Sequence, residues 1–243
     1  MPRLHALRGS HAIRPGDLPD LPSVFDPVPL REGGDAMARA VALATERGAG
    51  TLAWVRSAAR AEAAVVLEPE LPLAAARLAF LTAANALADA LAADGPPEIP
   101  VEFDWPGTLR VNGAACGMLR LAAPPGCAEA ETPAWLVVGM EARLTLTLAQ
   151  EPGEVPDLTG LAEEGWEGLT AAELTAGWAR HLMAGLDDWQ ARGPRRLTER
   201  FLARLADARD VVGLRRGIDP ATGDLVLDRD GVRTSRSLRE ALA

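Results

Sequence analysis

At 243 residues the chain suits one sizeable domain with a small appendage, and its 48 % hydrophobic content marks it as globular rather than disordered. The net charge is −9 and all 25 basic residues are arginine, scattered along the chain, which argues against nucleic acid as a partner. With no lysine anywhere, a Schiff base, a P-loop cation and a lysine general base are all excluded.

The two cysteines, Cys116 and Cys127, make no disulfide framework. The opening "MPRLHALRGSHAIRPGD" lacks an apolar core of signal length. No run reaches the roughly 18 apolar residues of a membrane span. The expectation is a cytoplasmic protein with no membrane partner.

Residues 1–30 read as an extended N-terminal segment, with Phe25 and Leu30 anchoring "LPDLPSVFDPVPL" on the surface. A helix follows, with Asp35 as N-cap and Gly48 as its stop. "TLAWVRS" and "AEAAVVLEP" read as strands joined through Arg56 to Arg60. Pro72 opens the clearest helix, 72–95, with Leu78, Leu81, Leu87 and Leu91 at helical spacing. "VEFDW", "TLRV" and "ACGMLRLA" give three short strands, and 134–147 one or two more. Between them Asn112-Gly113 signals a type I′ turn. Leu174, Trp178, Leu182 and Leu186 mark the apolar face of a helix over 170–193, and 195–210 is a further helix. The tail carries a hairpin turned at Pro220 to Gly223 and a second turn at Arg229 to Gly231. The mixture is α+β: a main domain over 31–209 and a small β-rich C-terminal domain over 210–243, too small to hold a core alone.

This order of elements, with "FDWPG", "RVNG" and "CGMLRL" in sequence, resembles the biotin/lipoate protein ligase superfamily over about residues 30–205, and in particular its biotin/lipoate A/B protein ligase-like branch. The tail "GLRRGIDPATGDLVL" resembles the small β domain that follows the catalytic core of biotin protein ligases. The resemblance implies a mixed sheet flanked by helices. It also implies a chemistry in which biotin or lipoate is joined to ATP as an acyl-adenylate and passed to a carrier-protein lysine. Trp105-Pro106 matches the family's Lys-Trp-Pro-Asn-Asp segment, with Asp104 in the place of the lysine and Gly107-Thr108 in the place of Asn-Asp. Gly117-Met118-Leu119 matches its Gly-Ile-Leu strand, with Ala114 where a second lysine stands. Gly139-Met140-Glu141 resembles its Gly-Ile-Asn.

Those correspondences set the candidate ligand-binding residues as Arg56, Arg60, Asp104, Trp105, Gly113, Gly117 and Glu141. Arg56 and Arg60 are either the cations that receive a carboxylate or phosphate, or solvated loop arginines. Trp105 either lines a ligand slot or packs in the core, while Asp104 either accepts a ligand N–H or caps a turn. Gly113 needs no role beyond its turn. Cys116 is a candidate acyl-carrying nucleophile, because some octanoyltransferases of this superfamily use cysteine. Against that, it has no histidine nearby in sequence and fits a small buried strand residue. His5, His11 and His181 have no metal-ligand spacing, so no metal site is expected. Glu163-Glu164 and Asp187-Asp188 read as solvated faces. The resemblance offers biotin, lipoate or octanoate as ligand, with ATP if the chain is active. As partner it offers a biotinyl or lipoyl carrier protein, and it is compatible with a homodimer. Loss of both lysines favours a binding protein that kept the slot. The alternatives are an active lipoyl, octanoyl or biotinyl ligase and a cysteine-dependent acyltransferase. The slot is expected to have the sheet as floor, the Val55 to Arg60 loop as mouth, and Cys116 and Met118 on one strand face.

Overall fold

A computed structural model describes residues 18–146, 157–207 and 211–243. His5, His11, the first part of the N-terminal segment, the end of the 134–147 stretch and residues 208–210 lie outside those.

Seven strands form one sheet in the order β1-β2-β3-β7-β6-β5-β4. The first strand, β1 (Asp26–Leu30), pairs in parallel with β2 (Thr51–Val55). The surface-laid segment expected here is therefore part of the sheet. Pro27 and Pro29 restrict it to the edge, where a missing N–H breaks no ladder. All other pairings in this sheet are antiparallel: β2 with β3 (Arg60–Leu67), β3 with β7 (Leu136–Arg143), β7 with β6 (Ala114–Ala122), β6 with β5 (Thr108–Val111) and β5 with β4 (Val101–Asp104).

Helix α1 (Ala36–Arg47) starts at Asp35, whose carboxylate accepts the Ala38 N–H at 2.8 Å, and stops at Gly48 with φ 70°. It covers one face of β2, β3 and β7, burying Met37, Ala40 and Ala44 against Ala53, Val55, Ala64, Val66 and Val137.

The opposite face carries the main core, under α3 (Ala79–Asp94), α4 (Ala171–Arg192) and α5 (Arg195–Arg204). The single helix expected over 72–95 is two: α2 (Leu73–Ala76), then α3. At the junction the Leu78 and Phe80 N–H groups reach back only three residues, to Ala75 and Arg77. Arg77 is buried there and bidentate to Glu129, at 2.8 and 2.7 Å. A charge so placed needs that partner. Leu73–Asp94 has the length and composition of a membrane span, which was not expected from the sequence, but 83 % of it is buried in the core. Its alanines let α4 approach closely: a Cβ on Gly177 would lie 3.5 Å from Ala90 Cβ. Trp178 is fully buried at that contact and donates its indole N–H to the Ala83 carbonyl at 3.0 Å. Thr170 and Glu173 form a reciprocal capping box at the start of α4. Leu78, Leu81, Leu87, Val137, Val138 and Leu182 are all buried, as the periodicity requires.

The tail is a three-stranded antiparallel sheet, β8 (Leu214–Ile218), β9 (Leu225–Arg229) and β10 (Val232–Arg236), closed by α6 (Leu238–Ala241). Its turns fall where the sequence signals them, at Gly223 and at Asp230-Gly231, all with positive φ. Ile218, Leu225 and Leu238 join the main core.

Candidate functional site

Strand alternation decides which candidate residues can meet. On β3, Ala61, Ala63 and Val65 face the helices, so Arg60 and Glu62 face the other way. The ladder register then lays out one row across five strands: Glu62 beside Glu141, Glu141 beside Met118, Met118 beside Thr108, and Thr108 beside Asp104. Among the described residues no helix covers this face over β4, β5 and β6, and Met118 stands 49 % exposed in the middle of the row. This row is the candidate site.

It brings Asp104 and Glu141 onto one surface, but three strand spacings apart, roughly 14 Å at about 4.8 Å each. They cannot grip one small polar group together. Its cations among the described residues are all engaged. Arg60 Nε donates to Glu62 Oε2 at 2.9 Å, and its Nη2 donates to the Gly34 carbonyl at 3.0 Å. Glu62 also accepts the Ala36 N–H at 2.7 Å, so this pair caps the first turn of α1. Arg110 Nε donates to Asp104 Oδ2 at 2.5 Å, and that bond raises the guanidinium pKa. Arg120 lies 3.6 Å from Asp35, with both side chains roughly half exposed. Arg143 donates to the Ala115 and Thr159 carbonyls.

The other candidates lie elsewhere. Arg56 sits over the ring of Trp54, 5.8 Å from its centroid. Trp54 belongs to the helix-side core, so Arg56 and Arg60 point to opposite faces. Trp105 packs edge-on against Phe201 of α5, with ring centroids 6.3 Å apart, and its backbone N–H donates to Asp207 Oδ2 at 2.7 Å. Its indole Nε1 is buried without a hydrogen-bond partner among the described residues. Gly107, in the place of a family Asn, lies under Phe80: a Cβ there would be 2.5 Å from the ring. Gly113 serves its turn, with φ 82° beside Asn112 at 51°.

Cys116 and Met118 do not share a face. The register of β5 on β6 shifts between Leu109 and Arg110, so Cys116 and Gly117 together oppose Leu109 in a β-bulge. The bulge turns Cys116 into the core while Met118 stays outside. The Cys116 thiol is fully buried and 3.5 Å from the Arg143 carbonyl, and burial pushes its pKa from 9.0 to about 12. A nucleophile needs thiolate, and this environment suppresses it. Gly117 is required by packing: a Cβ would fall 1.9 Å from the Glu141 carbonyl oxygen.

Sequence reasoning missed Glu62, Arg110 and Arg120, and it placed Met118 on the slot face but with Cys116 beside it. The alternation in "RAEAA" at 60–64 was the available signal for Glu62. No group of three or more His, Cys, Asp or Glu suited to a metal occurs among the described residues.

The profile of the Biotin/lipoate A/B protein ligase family matches residues 21–203. A biotin protein ligase-like protein of unknown function from Silicibacter sp. TM1040 superposes with a TM-score of 0.79 at 29 % identity, over 92 % of this chain and 98 % of that one. Biotin protein ligase from Aquifex aeolicus superposes at 0.66 and 14 % identity, over 87 % of this chain and 95 % of that one. Its complex with biotin and ATP gives 0.63 at 14 % identity over the same shares. No curated protein matches the chain. With more than half its length matched by the family profile, the chain belongs to the biotin/lipoate A/B protein ligase family.

Proposed function

We propose that the chain is a binding member of its family, which holds a small acyl acid on the open sheet face and does not activate it. One observation carries this: each of Arg60, Arg110 and Arg120 already has a carboxylate of the chain against it. Acyl-adenylate formation brings a carboxylate and a triphosphate together. Preorganised cations there contribute about 3 kcal/mol or more each to the transition state. Here such a cation would first have to be pulled from its partner.

Holding a single carboxylate asks less. The Arg120–Asp35 pair is long and exposed, and such pairs are worth only about 0–1 kcal/mol. Arg120 is thus the cation released most cheaply, and the acyl chain then lies along Met118. A carrier protein bearing the same acyl group on its lysine presents the same chemistry. The cysteine-transfer alternative is disfavoured by the buried, protonated Cys116.

Isothermal titration with octanoate, lipoate and biotin tests the reading. Saturable binding that weakens about tenfold in Arg120→Ala and is unchanged in Arg56→Ala is expected. Binding that depends on Arg56 instead, or no binding of any of the three acids, contradicts it.

A further inference from the structure

A cavity of about 630 Å³ lies on the side of the sheet opposite the open face, between the sheet and α4. Its size falls within the roughly 300–1,000 Å³ of small-molecule sites. Leu182, Leu186 and Trp189 of α4 form one wall, and Leu67 and Leu136 at the ends of β3 and β7 form the other. None of the candidate residues of the open face lines it. The apolar lining runs out to solvent through Val24 and Leu71, which are 57 % and 44 % exposed. Large aliphatic side chains left that open at the mouth of a cavity are a feature of binding sites.

The polar chemistry of the cavity is one-sided. Among the described residues Glu68 and Glu70 are its only ionisable lining residues, and both are exposed, so they stand at the rim. Glu68 spends one carboxylate oxygen on the Ala49 N–H at 3.2 Å. Glu70 makes no hydrogen bond or ion pair with another described residue. An acid entering this cavity would set a third carboxylate beside two others with no cation among the described lining residues. An ammonium group meets the reverse situation at the same rim.

We propose that this cavity binds a small amphiphilic amine, its apolar body against Leu182, Leu186 and Trp189 and its ammonium group at the Glu68–Glu70 rim. The site is separate from the one that serves the acyl acid and has the opposite charge preference.

The test is calorimetric titration of the full chain with three molecules of one chain length: n-octylamine, 1-octanol and octanoate. The expected result is one-site binding of octylamine at least tenfold tighter than octanol. Glu68→Gln with Glu70→Gln should bring the amine down to the level of the alcohol. Glu68 also holds the Ala49 N–H, so the exposed Glu70→Gln alone, with an unchanged thermal melt, provides the weaker but structurally safe version: a severalfold loss for the amine and none for the alcohol. Octanoate binding that survives these substitutions and weakens about tenfold in Arg120→Ala belongs to the open face, so the two sites are scored independently. The inference is overturned if octylamine fails to saturate, if the Glu→Gln variants bind it unchanged, or if octanoate displaces it. It is also overturned if sedimentation shows a dimer that octylamine dissociates, since the cavity wall would then be an interface between two copies.

Discussion

The buried thiol of Cys116 predicts how stability falls in alkali. The chain has neither lysine nor tyrosine, and arginine stays charged throughout. In a Cys127→Ser background, Cys116 is then the one side chain that titrates between its ordinary value of 9.0 and its folded value of about 12. The folded thiol keeps its proton to higher pH than the unfolded one. The stabilisation is therefore complete below pH 9 and is lost as pH rises towards the folded value. One proton gives a slope of about 1.4 kcal/mol per pH unit, so about 4 kcal/mol is at stake across the window. The assay is denaturant unfolding, followed by tryptophan fluorescence, from about pH 8 to about pH 11. The midpoint should be flat at first and then fall with that slope. Adding Cys116→Ala should abolish the slope while shifting the whole curve by a constant. An equal slope with and without Cys116, or thiolate absorbance from folded protein already near pH 9, would refute the burial argument and reopen the cysteine route.

Two further outcomes follow from packing and charge. Gly117→Ala puts a methyl 1.9 Å from the Glu141 carbonyl, so β6 and β7 must part. Overpacking of this kind costs about 1–3 kcal/mol, readable as a drop in Tm, and an unchanged Tm would contradict the placement of the bulge. Asp89 is pushed up by burial, but hydrogen bonds from Arg204 and Arg200 outweigh that and hold its carboxyl below the ordinary 3.8. Its contribution is present above that value and lost as pH falls through the lower folded one, so Asp89→Asn should lower stability at neutral pH and flatten the acid limb. An unaltered acid limb would show that the two arginines do not hold it.

Local signals carried most of the element boundaries. Asp35 and Gly48 bracket α1, and Asn112-Gly113 makes its turn, because each acts within four residues of itself. The site was less legible. The bulge that turns Cys116 inward arises from the pairing of two strands, and simple alternation along β6 gives the wrong face. Arg56 and Arg60 are four residues apart, yet the chain reverses between them and sends them to opposite sides. The residues that neutralise the site's cations come from separate elements: Glu62 from β3, Asp35 from the start of α1 and Asp104 from β4. The amine cavity draws on residues as far apart as Phe25, Leu67 and Leu186. Only the fold assembles such sets, and no spacing in the sequence announces them.

The central claim is that the family fold is retained while its activating chemistry is not. It is tested most directly by ATP–pyrophosphate exchange in the presence of biotin, lipoate or octanoate. The account predicts no acid-dependent exchange above the protein-free level, because the chain has no lysine and the arginines of the open face are held by its own carboxylates. Robust exchange dependent on any one of the three acids would contradict it.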